Sequence, residues 1–280
     1  MSHIRNLFYK PSGHVLSSSA SARAAAEEPS RTAAIAAVAT IPEFAVEQAQ
    51  IRPANRLIYH VDPHSVAADR FRFLRMRLRE HWTAGKLKKL LIASPLAHDG
   101  KSTVLLNLAT ALAERGRRSV LVIEADLHHS SLGVDLKLNN WNGLTDCLQD
   151  ESVSPLSHIR RVEPFGWHFL PAGEPRRNPT ELLQTPALST IIQKISACFD
   201  WVLIDSPPVL RLTDAIALQQ HVDASLLVVR AGHTPREAVE HAISLLGKPK
   251  IVGIVLNEVH RRDQPSYQHE HYGGGNSHED

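Results

Sequence analysis

The segment Pro95-Leu96-Ala97-His98-Asp99-Gly100-Lys101-Ser102-Thr103 constrains this chain most. It lies between an apolar run, Leu87 to Ala93, and a helical stretch, Ser102 to Arg115, with Gly116 placed to stop it. A strand, a turn ending in Gly-Lys-Ser and a helix is the order that phosphate binding requires. Backbone N–H groups and the helix N-terminus then point unsatisfied positive dipole at the anion. The segment is therefore expected to bind a purine nucleoside triphosphate with magnesium. Asp99, Gly100, Lys101, Ser102 and Thr103 are the expected nucleotide contacts, with Lys101 on the β- and γ-phosphates and the Ser102 hydroxyl on the metal. The loop departs from the usual GxxxxGK[ST] spacing. Pro95 replaces the first glycine, and His98 stands where a small residue is usual. His98 must either take a positive-φ geometry at some cost or contact phosphate itself.

Phosphoryl transfer also needs carboxylates near the metal and near the attacking hydroxyl. Asp205 ends the apolar run Trp201-Val202-Leu203-Ile204, and Glu124 and Asp126 follow Val120-Leu121-Val122-Ile123. The ends of neighbouring parallel strands converge on one edge, so the three acids are expected around one metal ion. Ser102, Asp126 and Asp205 are the expected metal ligands, and Lys101, Glu124, Asp126 and Asp205 the catalytic set.

Apolar runs alternate with helical patterns through the rest of the chain. Further strands are expected at Trp167–Leu170, Trp201–Ile204, Ser225–Arg230 and Ile251–Leu256, and helices at Ser65–His81, Thr180–Ala197, Asp214–His221 and Pro235–Leu246. Runs apolar throughout belong to strands buried on both faces. The expected fold is α/β: a three-layer P-loop NTPase-like domain, a mostly parallel sheet with helices on both faces. It spans residues 62–260, and its first helix occupies 62–81. Residues 1–55, rich in Ala, Ser, Pro and charge, read as a disordered or docking segment, with Met1 to Tyr9 as a short docking helix. Residues 261–280 are polar, contain Gly273-Gly274-Gly275, and read as a flexible tail.

A net charge of +2 gives no ground for nucleic acid binding, but the charge is unevenly placed. Arg70, Arg72, Arg75, Arg77, Arg79, Lys86, Lys88 and Lys89 face only Asp69 and Glu80, a stretch suited to an anionic partner, another subunit, a membrane surface or solvent. Cys147 and Cys198 lack metal-ligand spacing and suit a reducing compartment. No apolar run approaches the roughly 20 residues needed to span a bilayer. A cytoplasmic location is expected, with any membrane association peripheral.

With these elements placed, the chain resembles the bacterial tyrosine kinase family, the autokinases that control capsular and exopolysaccharide synthesis. His98 to Thr103 followed by Asn107-Leu108-Ala109 is similar to the family's first nucleotide motif, and Leu121 to Leu127 to its second. Ile204-Asp205-Ser206-Pro207-Pro208-Val209 is similar to the third. Gly143 to Leu148, Asn178 to Leu183 and Val229 to Thr234 resemble further family segments. Glu124 stands where the family's first aspartate is usual, lengthening the reach by one methylene. His128 and His129 stand where arginines are common.

The resemblance implies ATP with Mg2+, Glu124 as base toward a tyrosine hydroxyl, and Asn257 as a contact to the adenine base. It implies Tyr267 and Tyr272 as phosphoacceptors, reached between subunits of a ring-like homo-oligomer. Asp69, Arg72 and Arg75 resemble the family's Glu-x-x-Arg-x-x-Arg oligomerisation motif, and their helical spacing places them on one ionic face. A separate membrane-spanning polysaccharide chain-length regulator is the implied partner. Two other readings remain. A partitioning or cell-division ATPase would carry a signature lysine where Leu96 stands. A nucleotide-dependent scaffold of a polysaccharide-assembly complex would bind without phosphorylating.

Overall fold

The computed structural model describes residues 5–7, 43–52, 56–138 and 141–259. The six expected apolar runs and three strands that carry no such run form one nine-stranded sheet. They are β1 (Arg5–Leu7), β2 (Val46–Gln48), β3 (Lys89–Ala93), β4 (Val120–Ile123), β5 (Arg160–Glu163), β6 (Trp167–Leu170), β7 (Trp201–Asp205), β8 (Ala224–Arg230) and β9 (Ile251–Asn257). The strand order is β1-β9-β8-β3-β7-β4-β6-β5-β2. Only the β1–β9 and β5–β6 pairs are antiparallel. Pairing of β3 with β7 sets Ile92 opposite Asp205, and β7 pairs with β4 on its other side, Ile204 opposite Ile123. The three acid-bearing strand ends therefore share one edge, as the sequence predicts.

The pleat divides the core into two layers. On one face Leu90, Ile92, Val120, Val122 and Leu203 pack against α2 (Val66–Thr83) and α3 (Lys101–Ala113) through Leu74, Leu78, Leu105 and Leu108. On the other, Leu91, Ile123, Val202, Ile204 and Leu227 meet α7 (Pro186–Ser196), α8 (Asp214–Gln219) and α9 (Arg236–Leu246) through Leu188, Ile192, Leu218 and Leu246. Helices cover both faces, so the three-layer architecture holds. Every residue of α3 from Val104 to Ala113 is buried, the signature of a helix enclosed on all sides. Each fully buried leucine contributes about 1.5–3 kcal/mol. No helix among the described residues is long and apolar enough to cross a membrane.

Four local expectations change. The helix expected over Thr180–Ala197 is two, α6 (Pro179–Leu183) and α7, because Pro186 has no amide to continue the first and opens the second. Helix α3 ends at Ala113, before Gly116, and Glu114 and Arg115 both take left-handed backbone, φ 49° and 60°. Arg5–Leu7 is a strand against β9, where a docking helix was expected. Residues 43–52, expected to lack structure, supply β2 on β5, and Phe44 stacks on Phe199 at 5.7 Å. Edge strands of three residues carry no periodicity of their own; they form because an open sheet edge offers hydrogen bonds. Short helices α1 (Ile58–Val61), α4 (Leu132–Asp135) and α5 (Leu144–Gln149) complete the set.

Candidate nucleotide site

The loop between β3 and α3 is held from below. Buried Asp99 accepts the Leu96 amide at 2.9 Å and the Thr234 hydroxyl at 2.6 Å, and Asn257 donates to the Asp99 carbonyl at 3.1 Å. Burial raises the Asp99 carboxyl above the usual range, with the Thr234 hydrogen bond opposing it. His98 takes φ 65°, the strained geometry foreseen for a residue in a glycine place, and Gly100 takes φ 91°. A Cβ on Gly100 would lie 1.9 Å from Asn257 Nδ2. Gly100→Ala is therefore expected to lower stability by about 1–3 kcal/mol through backbone strain and to abolish measurable ADP binding. Urea unfolding and isothermal titration check both effects.

Above the loop opens a cleft of about 700 Å3. Gly100, Lys101, Ser102, Thr103, Asp126 and Asp205 all line it, so six of the sequence-chosen residues meet there. Lys101 Nζ lies 2.5 Å from Asp205 Oδ1, with both side chains almost wholly buried. Burial raises the Asp205 carboxyl, Lys101 opposes that, and nearby Asp126 adds to it. Asp126 accepts the His129 amide at 3.0 Å and faces the cleft. The donor set of one hydroxyl and two carboxylates is hard oxygen, which fits magnesium held partly by substrate phosphates. Arg56, Arg211 and Arg230 add cationic rim, and Glu258 ties Arg56 to Arg230.

Three chosen side chains lie elsewhere. Glu124 is 2 % exposed and does not line the cleft; it accepts the Leu132 amide at 2.7 Å and the Ala172 amide at 3.4 Å. Burial pushes its carboxyl up to about 7, against the Leu132 hydrogen bond. The carboxylate is held by amides of neighbouring backbone, and the charge of Asp205 adds to the upward push. Asn257 is buried beneath the loop, where it braces Asp99 and excludes any Cβ at Gly100. The Asp99 side chain is likewise a strut, and only its backbone belongs to the loop.

The expected ionic face on α2 is also redistributed. Arg72 bonds Asp69 at 2.6 Å and the Pro63 carbonyl. Arg75 turns back onto its own chain, donating to the Ala111 carbonyl at 3.0 Å and the Tyr59 hydroxyl at 3.3 Å. There it satisfies an orphan carbonyl at the C-terminal end of α3, a favourable place for a cation. Tyr267 and Tyr272 lie outside the described residues.

Sequence reasoning missed the strap that brings Arg56 to the cleft. Asn107 holds it, accepting the Tyr59 amide at 2.8 Å and donating to the Arg56 carbonyl at 2.9 Å. The Asn107-Leu108-Ala109 motif contained the signal, since a polar residue in an otherwise apolar buried helix needs a partner. Nothing local links Arg56 to Glu258, which meet across 202 positions.

A P-loop after β3, an aspartate ending the adjacent parallel strand, and helices on both faces define a P-loop NTPase-type domain. Residues 98–248 accordingly match the family model described as an AAA domain. The chain is 30 % identical over 208 residues to the tyrosine-protein kinase YwqD of Bacillus subtilis, covering 74 % of this chain and 87 % of that protein. It is 29 % identical over 230 residues to the tyrosine-protein kinase ptk of Acinetobacter johnsonii, covering 80 % of this chain but 31 % of that longer protein. The kinase domain of the Escherichia coli tyrosine kinase ETK superposes with a TM-score of 0.68 at 26 % identity, covering 75 % of this chain and 83 % of that domain. The chain belongs to the bacterial tyrosine-protein kinases.

Proposed function

We propose that this chain transfers the γ-phosphate of ATP to Tyr267 and Tyr272 of a neighbouring copy, and that this autokinase activity regulates exopolysaccharide or capsule assembly and chain length. The observation that carries the reading is the convergence of Lys101, Ser102, Asp126 and Asp205 on one cleft in a chain of this family. Residues 62–260 form the kinase domain and 261–280 the tail that enters the site. Residues 1–55 contribute the edge strands and the approach to a partner.

Lys101 exchanges its Asp205 partner for phosphate oxygens when ATP enters. Ser102, Asp126 and Asp205 would hold Mg2+, which when bound neutralises charge on the phosphates. Asp126 accepts the proton of the attacking tyrosine hydroxyl, whose ordinary pKa of about 10 makes a positioned base necessary. Glu124 orders the loops flanking the site and takes no part in proton transfer. The chain acts in the cytoplasm, peripherally at the membrane through a separate membrane-spanning chain-length regulator, in a ring-like oligomer. Asp69 and Arg72 contribute to the subunit contact, and Arg75 sets the α2–α3 geometry behind it.

Incubation with magnesium and γ-labelled ATP tests the reading. Wild-type protein should acquire label; Lys101→Met and the Tyr267→Phe/Tyr272→Phe double variant should not. Phosphate release without protein label would indicate an ATPase, and nucleotide binding with neither would indicate the scaffold.

A further inference from the structure

A second cleft, of about 740 Å3, opens at the opposite end of α3 from the phosphate loop. The 13 residues of α3 separate the two by roughly 20 Å. Five arginines line it: Arg72, Arg75, Arg115, Arg117 and Arg161. They face two carboxylates, Glu114 and Glu163, and both are already engaged. Arg79 bonds Glu114 at 2.9 Å and Arg161 bonds Glu163 at 2.7 Å. Arg72 and Arg75 are held by the contacts described above. Arg115 and Arg117 are exposed and make no ion pair among the described residues.

The backbone that presents them is strained. Glu114 and Arg115 take left-handed φ in succession, followed by Gly116 at 82°. Each non-glycine residue there costs about 1–2 kcal/mol, and such strain concentrates at binding sites. The wall opposite is aromatic: the Tyr59 ring lies 5.4 Å from the Arg72 guanidinium, and His60 meets Phe165 edge-on at 5.2 Å.

From this arrangement we infer that the cleft binds the phosphoaryl group of a phosphotyrosine peptide. Arg115 and Arg117, without an ion pair among the described residues, match a phosphate dianion and can grip it bidentately. Tyr59 and His60 supply faces and edges for the attached ring. A lipid headgroup offers no ring to the aromatic wall, whereas phosphotyrosine brings phosphate and ring together. The inference rests on the proposed kinase reading for the origin of its ligand, since phosphotyrosine is that reaction's product. The product is thereby captured away from the nucleotide, on the surface that α2 shares.

The probe is a synthetic peptide of residues 264–275 phosphorylated at Tyr272, titrated by fluorescence anisotropy into full-length protein saturated with Mg-ADP. It should bind at least tenfold more tightly than the unphosphorylated peptide. Arg115→Asn/Arg117→Gln should weaken it at least tenfold while leaving ADP affinity unchanged. Asparagine tolerates the left-handed backbone, and circular dichroism verifies the fold. Equal affinity for both peptides, or an unaltered double variant, would overturn the inference. So would displacement of the peptide by phosphatidylserine vesicles at equivalent charge, which would assign the cleft to a membrane. Peptide binding by a protein that acquires no label from ATP would leave the cleft intact and fail the kinase reading alone.

Discussion

Lys101→Met is expected to lower label transfer from ATP by about 100- to 1,000-fold, the usual cost of losing one preorganised charge at a phosphoryl-transfer site. Lys101 is the cation nearest the site's buried carboxylate, 2.5 Å from Asp205. Its removal leaves Asp205 unpaired in a place where burial already raises the carboxyl. Breaking a buried pair from one side costs about 3–5 kcal/mol when the remaining charge persists. Asp205 lowers that cost by taking up a proton. The variant should therefore be less destabilised at pH 5 than at pH 8, which urea unfolding at the two pH values measures.

The second large effect separates the two acids after β4. Asp126→Asn should reduce transfer by about 100- to 10,000-fold, the range for losing a positioned base. Glu124→Gln should keep transfer within about tenfold of wild type, because Glu124 sits outside the cleft. Its signature is in stability. The folded carboxyl titrates at about 7 against an ordinary 4.5, so between these values the folded state binds more protons than the unfolded state. Stability contributed by the neutral form is present below pH 4.5 and is lost as pH rises towards 7. The shift from 4.5 to about 7 corresponds to about 3 kcal/mol. His158, His168 and His221, all lowered by burial, act with the opposite sign near the same range. The difference between wild type and Glu124→Gln isolates the carboxyl, and its slope should flatten above pH 7. Equal slopes from pH 5 to 7.5 would remove this account of Glu124, and a collapse of transfer in Glu124→Gln would return the base role to it.

Much of the architecture was legible because its signals are local. Strands β3, β4, β7 and β8 carry the apolar runs 90–93, 120–123, 201–204 and 226–229, and α3 begins where Gly-Lys-Ser demands a helix N-terminus. The cleft followed from the same rule, since parallel strand ends converge. Side-chain direction was not legible. Glu124 and Asp126 are two residues apart at one strand end, yet one braces backbone and the other faces the cleft. Helical spacing put Asp69, Arg72 and Arg75 on one face, but Arg75 is long enough to reach an orphan carbonyl on α3. Asn257 occupies the expected strand end, and its use is decided by Gly100, 157 positions away, whose missing Cβ it fills. β5, Arg160-Arg161-Val162-Glu163, has one buried residue in four and carries no apolar run.

The central claim is transfer between copies to the tail tyrosines, and a mixing experiment tests it directly. The Tyr267→Phe/Tyr272→Phe variant serves as donor and Lys101→Met as acceptor, incubated together with magnesium and γ-labelled ATP, then separated by an affinity tag. Mass spectrometry should place phosphate on Tyr267 and Tyr272 of the Lys101→Met chain, with neither variant labelled alone. Absence of phosphotyrosine from the acceptor, with wild-type protein labelled in the same assay, would contradict the account.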